Sequence, residues 1–117
     1  MPLDHTCVAV TSIELGFWHP QISRLCTTLG LELYDSRAMS FGWCWKVTAY
    51  GRVTQERCKL GARGSYSDFA IYFYPRAPLL EFQRRSSQVY YFYEMFRACV
   101  QVLRAHHCVP DWEVRWT

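Results

Sequence analysis

At 117 residues, half of them hydrophobic and 17% aromatic, the chain is long enough to bury one core and too apolar to remain unfolded. Thirteen Lys and Arg against ten Asp and Glu leave a formal charge of +3, which attracts anions weakly and gives no argument for nucleic-acid binding. No apolar run approaches a membrane span, and residues 1–20 lack a basic segment followed by a continuous apolar stretch, so neither an anchor nor a signal peptide is expected.

Cysteines stand at 7, 26, 44, 58, 99 and 108, a wide and irregular spacing. Cys7, Cys26 and Cys99 fall on apolar faces. With no secretory signal, the pattern reads as reduced, mostly buried thiols in a cytoplasmic protein.

Residues 4–10 alternate as a strand. His5, Cys7 and Ala9 share one face, and Thr6, Val8 and Val10 share the other. The face with His5 is small beyond the imidazole, which leaves room for a ligand. A loop runs from Thr11 to about His19. Pro20 suits the first position of a helix, where its missing N–H costs nothing. Trp18, Ile22, Leu25, Cys26 and Leu29 then form an apolar stripe, and Gly30 can end the helix in a left-handed conformation.

Residues 31–36 alternate again, with Leu31 and Leu33 inward. The strand over 41–50 is the most distinctive. It puts Phe41, Trp43, Trp45, Val47 and Ala49 on one face, and Gly42, Cys44, Lys46, Thr48 and Tyr50 on the other. Residues 51–67 hold three glycines and several charges and read as a loop or irregular hairpin. Another strand spans 68–74, with Phe69, Ile71 and Phe73 on one side. Pro75 and Pro78 end it and open a linker containing Arg84 and Arg85.

Gln88 to Tyr93 reads as a strand. The stripe Phe92, Phe96, Cys99, Val100 and Leu103 predicts a helix to about His107. Val109-Pro110 breaks it before a short strand at 112–116. Strand–helix–strand therefore occurs twice, a weak internal repeat that implies an α+β domain over 1–117.

The opening Met1-Pro2-Leu3-Asp4-His5-Thr6, Phe41-Gly42 followed by Asp68-Phe69, and Phe92 with Arg97 and Val100 resemble small fungal glyoxalase-like members of the vicinal oxygen chelate superfamily. That superfamily includes glyoxalases, bleomycin-resistance proteins and extradiol dioxygenases. The resemblance implies a βαβββ module over 1–75 and a partial second βαβ module over 86–117, in a curved mixed sheet with helices outside. It implies a divalent metal bound from inward-facing strand positions, and His5 matches the first of these. The matching position of the second module is Val89. The fourth-strand position falls near Tyr72 to Tyr74, and the strands that carry a family Glu are not present before Thr117. The implied ligand set is incomplete, so the cofactor stays open. An incomplete second module implies an open sheet edge covered by another subunit, hence a homo-oligomer.

The candidate site residues are His5 as metal ligand or base, Trp43 and Trp45 as a stacking surface near it, and Tyr72 and Tyr74 as hydroxyl donors. Cys99, His106, His107 and Cys108 match no zinc spacing, and Arg84-Arg85 reads as a solvated pair. No Gly-rich phosphate loop, Ser/His/Asp arrangement or paired carboxylates stand out. The expected function is a glyoxalase-like protein binding a small carbonyl-bearing or aromatic molecule in a cup formed by the sheet, with lyase, isomerase or dioxygenase chemistry. The other readings are a metal-free binding or sequestering module and a degenerate member acting through protein–protein contact. No membrane or nucleic-acid partner is expected.

Overall fold

The structure is a computed structural model that describes residues 5–48, 69–85 and 92–110. In chain order its elements are β1 (His5–Ala9), α1 (Leu15–Leu29), β2 (Glu32–Met39), β3 (Gly42–Thr48), β4 (Phe69–Tyr74), β5 (Leu79–Arg84) and α2 (Phe92–Ala105). The strands make one sheet in the order β1-β5-β4-β3-β2, with every neighbouring pair antiparallel. The fold is therefore α+β, as expected, but the sheet is antiparallel rather than mixed.

Period-two alternation gives this sheet two different faces. Val8, Trp45, Val47, Phe69, Ile71, Phe73, Leu80 and Phe82 lie on one face, all buried. Both helices cover that face. From α1 come Trp18, Ile22, Leu25 and Cys26, and from α2 come Phe92, Met95, Phe96, Cys99, Val100 and Leu103. Trp18 packs on Phe73 with centroids 5.9 Å apart, and Phe96 meets Phe82 edge-on at 5.0 Å. Aromatic pairs of this kind each contribute about 0.5–1.5 kcal/mol beyond area burial.

Helix α1 starts at Leu15, before the proline that was expected to open it, so Pro20 sits inside. The cause is Trp18. Its ring is fully buried and its indole N–H donates to the Ser12 carbonyl at 2.8 Å. Holding that ring under the sheet draws the preceding turn into the helix. Gly30 ends α1 as expected, at φ 67°, and the Leu31 N–H donates to the Cys26 carbonyl at 2.8 Å.

Other expectations are corrected. Residues 75–85 are not a linker, because Pro75 and Pro78 belong to a tight turn and β5 follows it directly. β5 lies between β1 and β4, so the first and fourth strands are not neighbours. The strand expected over 88–93 is also altered: Phe92 and Tyr93 are the first residues of α2, and 88–91 lie outside the described residues. The loop expected at 51–67 and the strand expected at 112–116 lie outside them too. Leu33, expected inward, does pair with Val47 on the helix side, but it is 45% exposed because β2 is the last strand in the sheet order. Among the described residues no helix is long and apolar enough to cross a membrane.

Gly42 is required where β3 passes β4. A Cβ there would run into the Phe73 carbonyl oxygen and lie 2.9 Å from Pro75 Cδ, whereas a Cβ at Gly16 would meet open space. Gly42→Ala is expected to lower unfolding free energy by about 1–3 kcal/mol, as overpacking does. Gly16→Ala should cost nothing. Guanidinium unfolding of both variants checks the pair.

Candidate functional site

The sheet face turned away from both described helices carries the polar side chains. β1 contributes His5 and Cys7, and β5 contributes Glu81 and Gln83. β4 contributes Tyr72 and Tyr74, and β3 contributes Cys44 and Lys46. The register makes Glu81 the direct cross-strand partner of Cys7 on one side and of Tyr72 on the other. Glu81 is thus held mid-sheet, with its side chain only 16% exposed.

Several groups converge on its carboxylate. The Tyr74 hydroxyl donates to Oε1 at 2.8 Å, and the Gln83 amide donates to the same oxygen at 3.2 Å. His5 Nδ1 stands 3.7 Å from Oε2. The His5 side chain is half exposed, so a ligand can reach it. Burial, and then the bond to Glu81, push the Tyr74 hydroxyl well above its ordinary range, so it remains a donor at any physiological pH. A carboxylate fixed in this way can orient an imidazole, and histidine is the side chain that ordinarily exchanges protons near neutrality.

An aromatic wall adjoins this cluster. Phe41 stacks on Tyr74 with centroids 4.4 Å apart and planes 19° from parallel, and it approaches Tyr72 at 5.8 Å. Tyr72 in turn is the direct cross-strand partner of Cys44. Burial raises the Tyr72 hydroxyl and the Cys44 thiol, and Lys46 pulls the thiol partly back. Arg85 is exposed, as expected of a solvated residue, although it follows β5 directly instead of lying in a linker.

The predicted site residues separate into two groups. His5, Tyr72 and Tyr74 share the face turned away from both described helices. Trp43 and Trp45 lie on the opposite one, so the expectation that His5 sits near the two indoles is corrected. Trp45 is 1% exposed, and His19 of α1 meets the rings of Trp43 and Trp45 at 4.9 and 5.7 Å. Trp43 Nε1 donates to Ser36 Oγ at 2.7 Å. These indoles are tied to the helix layer and its edge. Glu81, Gln83 and Phe41 were missed. The first two fell in the supposed linker, although Leu80 and Phe82 alternate with them at period two. Phe41 was placed with the tryptophans, but it belongs to the turn before β3 and swings to the other face.

The metal that the resemblance implies does not fit the residues described. His5 and Glu81 are two suitable donors, but among the described residues no three His, Cys, Asp or Glu side chains come together. His106 and His107 are exposed at the end of α2, while Cys99 is buried in the core. That end has a structural role: Thr11 Oγ1 bonds to the carbonyls of His107 and Cys108, both at 2.9 Å.

No family model, curated protein or solved structure matches this chain.

Cys26, Cys44, Cys99 and Cys108 are buried thiols and Cys7 is half-buried. Desolvation pushes Cys26 from an ordinary 9.0 up to about 11, and raises Cys99 further. The folded protein therefore holds these protons more tightly than the unfolded chain. Their effect on folding is neutral below about pH 9 and destabilising as pH climbs from there towards 11. Stability followed by urea unfolding is expected to be flat from neutrality to about 9 and then to fall, and Cys26→Ala should make that fall shallower. Among the described cysteines, alkylation of native protein read by peptide mass spectrometry should reach Cys7 before the four buried thiols.

Proposed function

We propose that this chain binds a small carbonyl-bearing or aromatic molecule on the sheet face turned away from both described helices, as a glyoxalase-like protein of the vicinal oxygen chelate type would. The observation that carries the reading is the double engagement of Tyr74. Its ring stacks on Phe41 and its hydroxyl donates to Glu81, so a flat apolar surface directly adjoins a polar cluster. A planar ligand lies against the aromatic wall, with its oxygen towards the second N–H of the Gln83 amide, the first being given to Glu81.

Of the lyase, isomerase and dioxygenase chemistries considered, proton transfer next to a carbonyl suits these residues best. It needs a base, an orienting group and a hydrogen-bond donor for the carbonyl oxygen. His5 takes a proton from the carbon beside the carbonyl and returns it to the neighbouring atom. Glu81 holds the imidazole, and Tyr74 holds Glu81. Neither step is routed through a metal. A metal-free sequestering protein would use the same face without turnover.

Calorimetric titration with a panel of aryl ketones and aryl α-keto acids tests this reading. Glu81→Gln and His5→Ala are expected to weaken the binding of any hit by roughly tenfold or more, corresponding to the loss of a charge-assisted contact. Both should fold normally, because neither side chain fills the helix-side core. Trp43→Phe, on the far face, should leave affinity unchanged. Affinity that drops with Trp43→Phe and not with Glu81→Gln would refute the assignment.

A further inference from the structure

Among the described residues β2 is the edge strand next to β3, and no described strand pairs with its outer side. Every residue from Glu32 to Met39 except Asp35 is exposed, including Leu33 at 45%, Tyr34 at 42% and Met39 at 37%. A strand edge in this state offers a row of backbone donors and acceptors to another chain. Its side chains carry opposite charges on either side of Ser36, an order that is inverted when read from the other end. Asp35 and Arg37 lie two apart on the face turned away from both described helices, with Ser36 between them pointing to the other face, where it accepts from Trp43.

We propose that β2 pairs antiparallel with β2 of a second copy of this chain, about a two-fold axis at Ser36. That register sets Asp35 of each copy directly opposite Arg37 of the other, and the two Ser36 residues opposite one another. Opposite charges on one face of an antiparallel pair favour it, and an isologous contact of this kind closes after two subunits. Each chain already joins Asp35 to its own Arg37, through Nε at 2.7 Å and Nη2 at 2.6 Å. Both bonds run to Oδ2, and Nη1 takes no part in them. The guanidinium fork has five N–H groups, so it can keep this bond and reach a second carboxylate. The bulge between Leu33 and Asp35 interrupts the regular register on that side, so the proposed ladder is centred on residues 35–37. The pairing would join two five-stranded sheets into one. It lies at the sheet edge opposite β1, so it stands or falls independently of the ligand reading.

Charge reversal in the full-length chain supplies the test. Wild-type protein at low ionic strength should be dimeric by sedimentation equilibrium. Asp35→Arg and Arg37→Asp should each weaken self-association by roughly tenfold or more, because like charges then face each other. An equimolar mixture of the two variants should recover the dimer, since each Arg then meets an Asp across the axis. Circular dichroism checks that both fold. Should either fail to fold, Ser36→Cys offers a second route. Its two thiols face across the axis, at a spacing a disulfide can bridge, and oxidation should give a covalent dimer that wild-type protein does not form. A monomeric wild-type protein overturns the proposal and makes the charged pair a guard against edge association. A dimer that the reversals leave intact, a mixture that stays monomeric, or Ser36→Cys protein that does not cross-link overturns it as well.

Discussion

β5 pairs with β1 on one side and with β4 on the other, and this double pairing decides which side chains can meet. Strand β1 reaches the sheet through β5. The register sets His5 opposite Gln83 and Cys7 opposite Glu81, and on the other side sets Glu81 opposite Tyr72. Because cross-strand partners share a face, the imidazole of β1, the carboxylate of β5 and the phenols of β4 lie together. A slip of one residue between β1 and β5 would send His5 to the helix side and bring the apolar Val8 out of the core. Burial of Val8, Leu80 and Phe82 under the helices is therefore what holds the polar cluster in register.

The two faces divide the work. On the helix side, Trp18, Trp45, Phe73, Phe82 and Phe96 are almost fully buried, and their packing provides most of the fold's stability. The opposite face contributes polar contacts whose net worth is smaller, about 1 kcal/mol for a typical hydrogen bond. Substituting there can alter chemistry while the core stays intact. His19 illustrates the contrast. It is a histidine against two indoles, yet it belongs to the α1–β3 contact and not to the cluster around Glu81.

Much of this arrangement could be read from the chain. The stripes of α1 and α2, the left-handed stop at Gly30 and the face shared by His5 and Cys7 all follow from period and residue type. So does the turn of Tyr72 and Tyr74 away from Phe69 and Ile71. What the chain concealed came from tertiary choice. Pro75 and Pro78 signal a break in either a linker or a tight turn, and only pairing with β1 and β4 distinguishes the two. Once 75–85 was read as a linker, Glu81 dropped out of view and His5 was left with the tryptophans as its nearest aromatic candidates. Face parity within one strand is visible in sequence, but parity between distant strands depends on register. The bulge in β2 and the swing of Phe41 are likewise local departures from alternation with no strong residue signal.

The central claim is that β5 brings Glu81 and Gln83 beside His5 on a face separate from the indoles. A nuclear Overhauser spectrum of the isotope-labelled chain measures this directly. Cross-strand backbone contacts should link His5 with Gln83 and Cys7 with Glu81, and the His5 ring should show contacts to the Glu81 side chain and none to the Trp43 or Trp45 indoles. Backbone contacts from β1 to Tyr72 or Tyr74 of β4, or His5 ring contacts to either indole, would contradict the account.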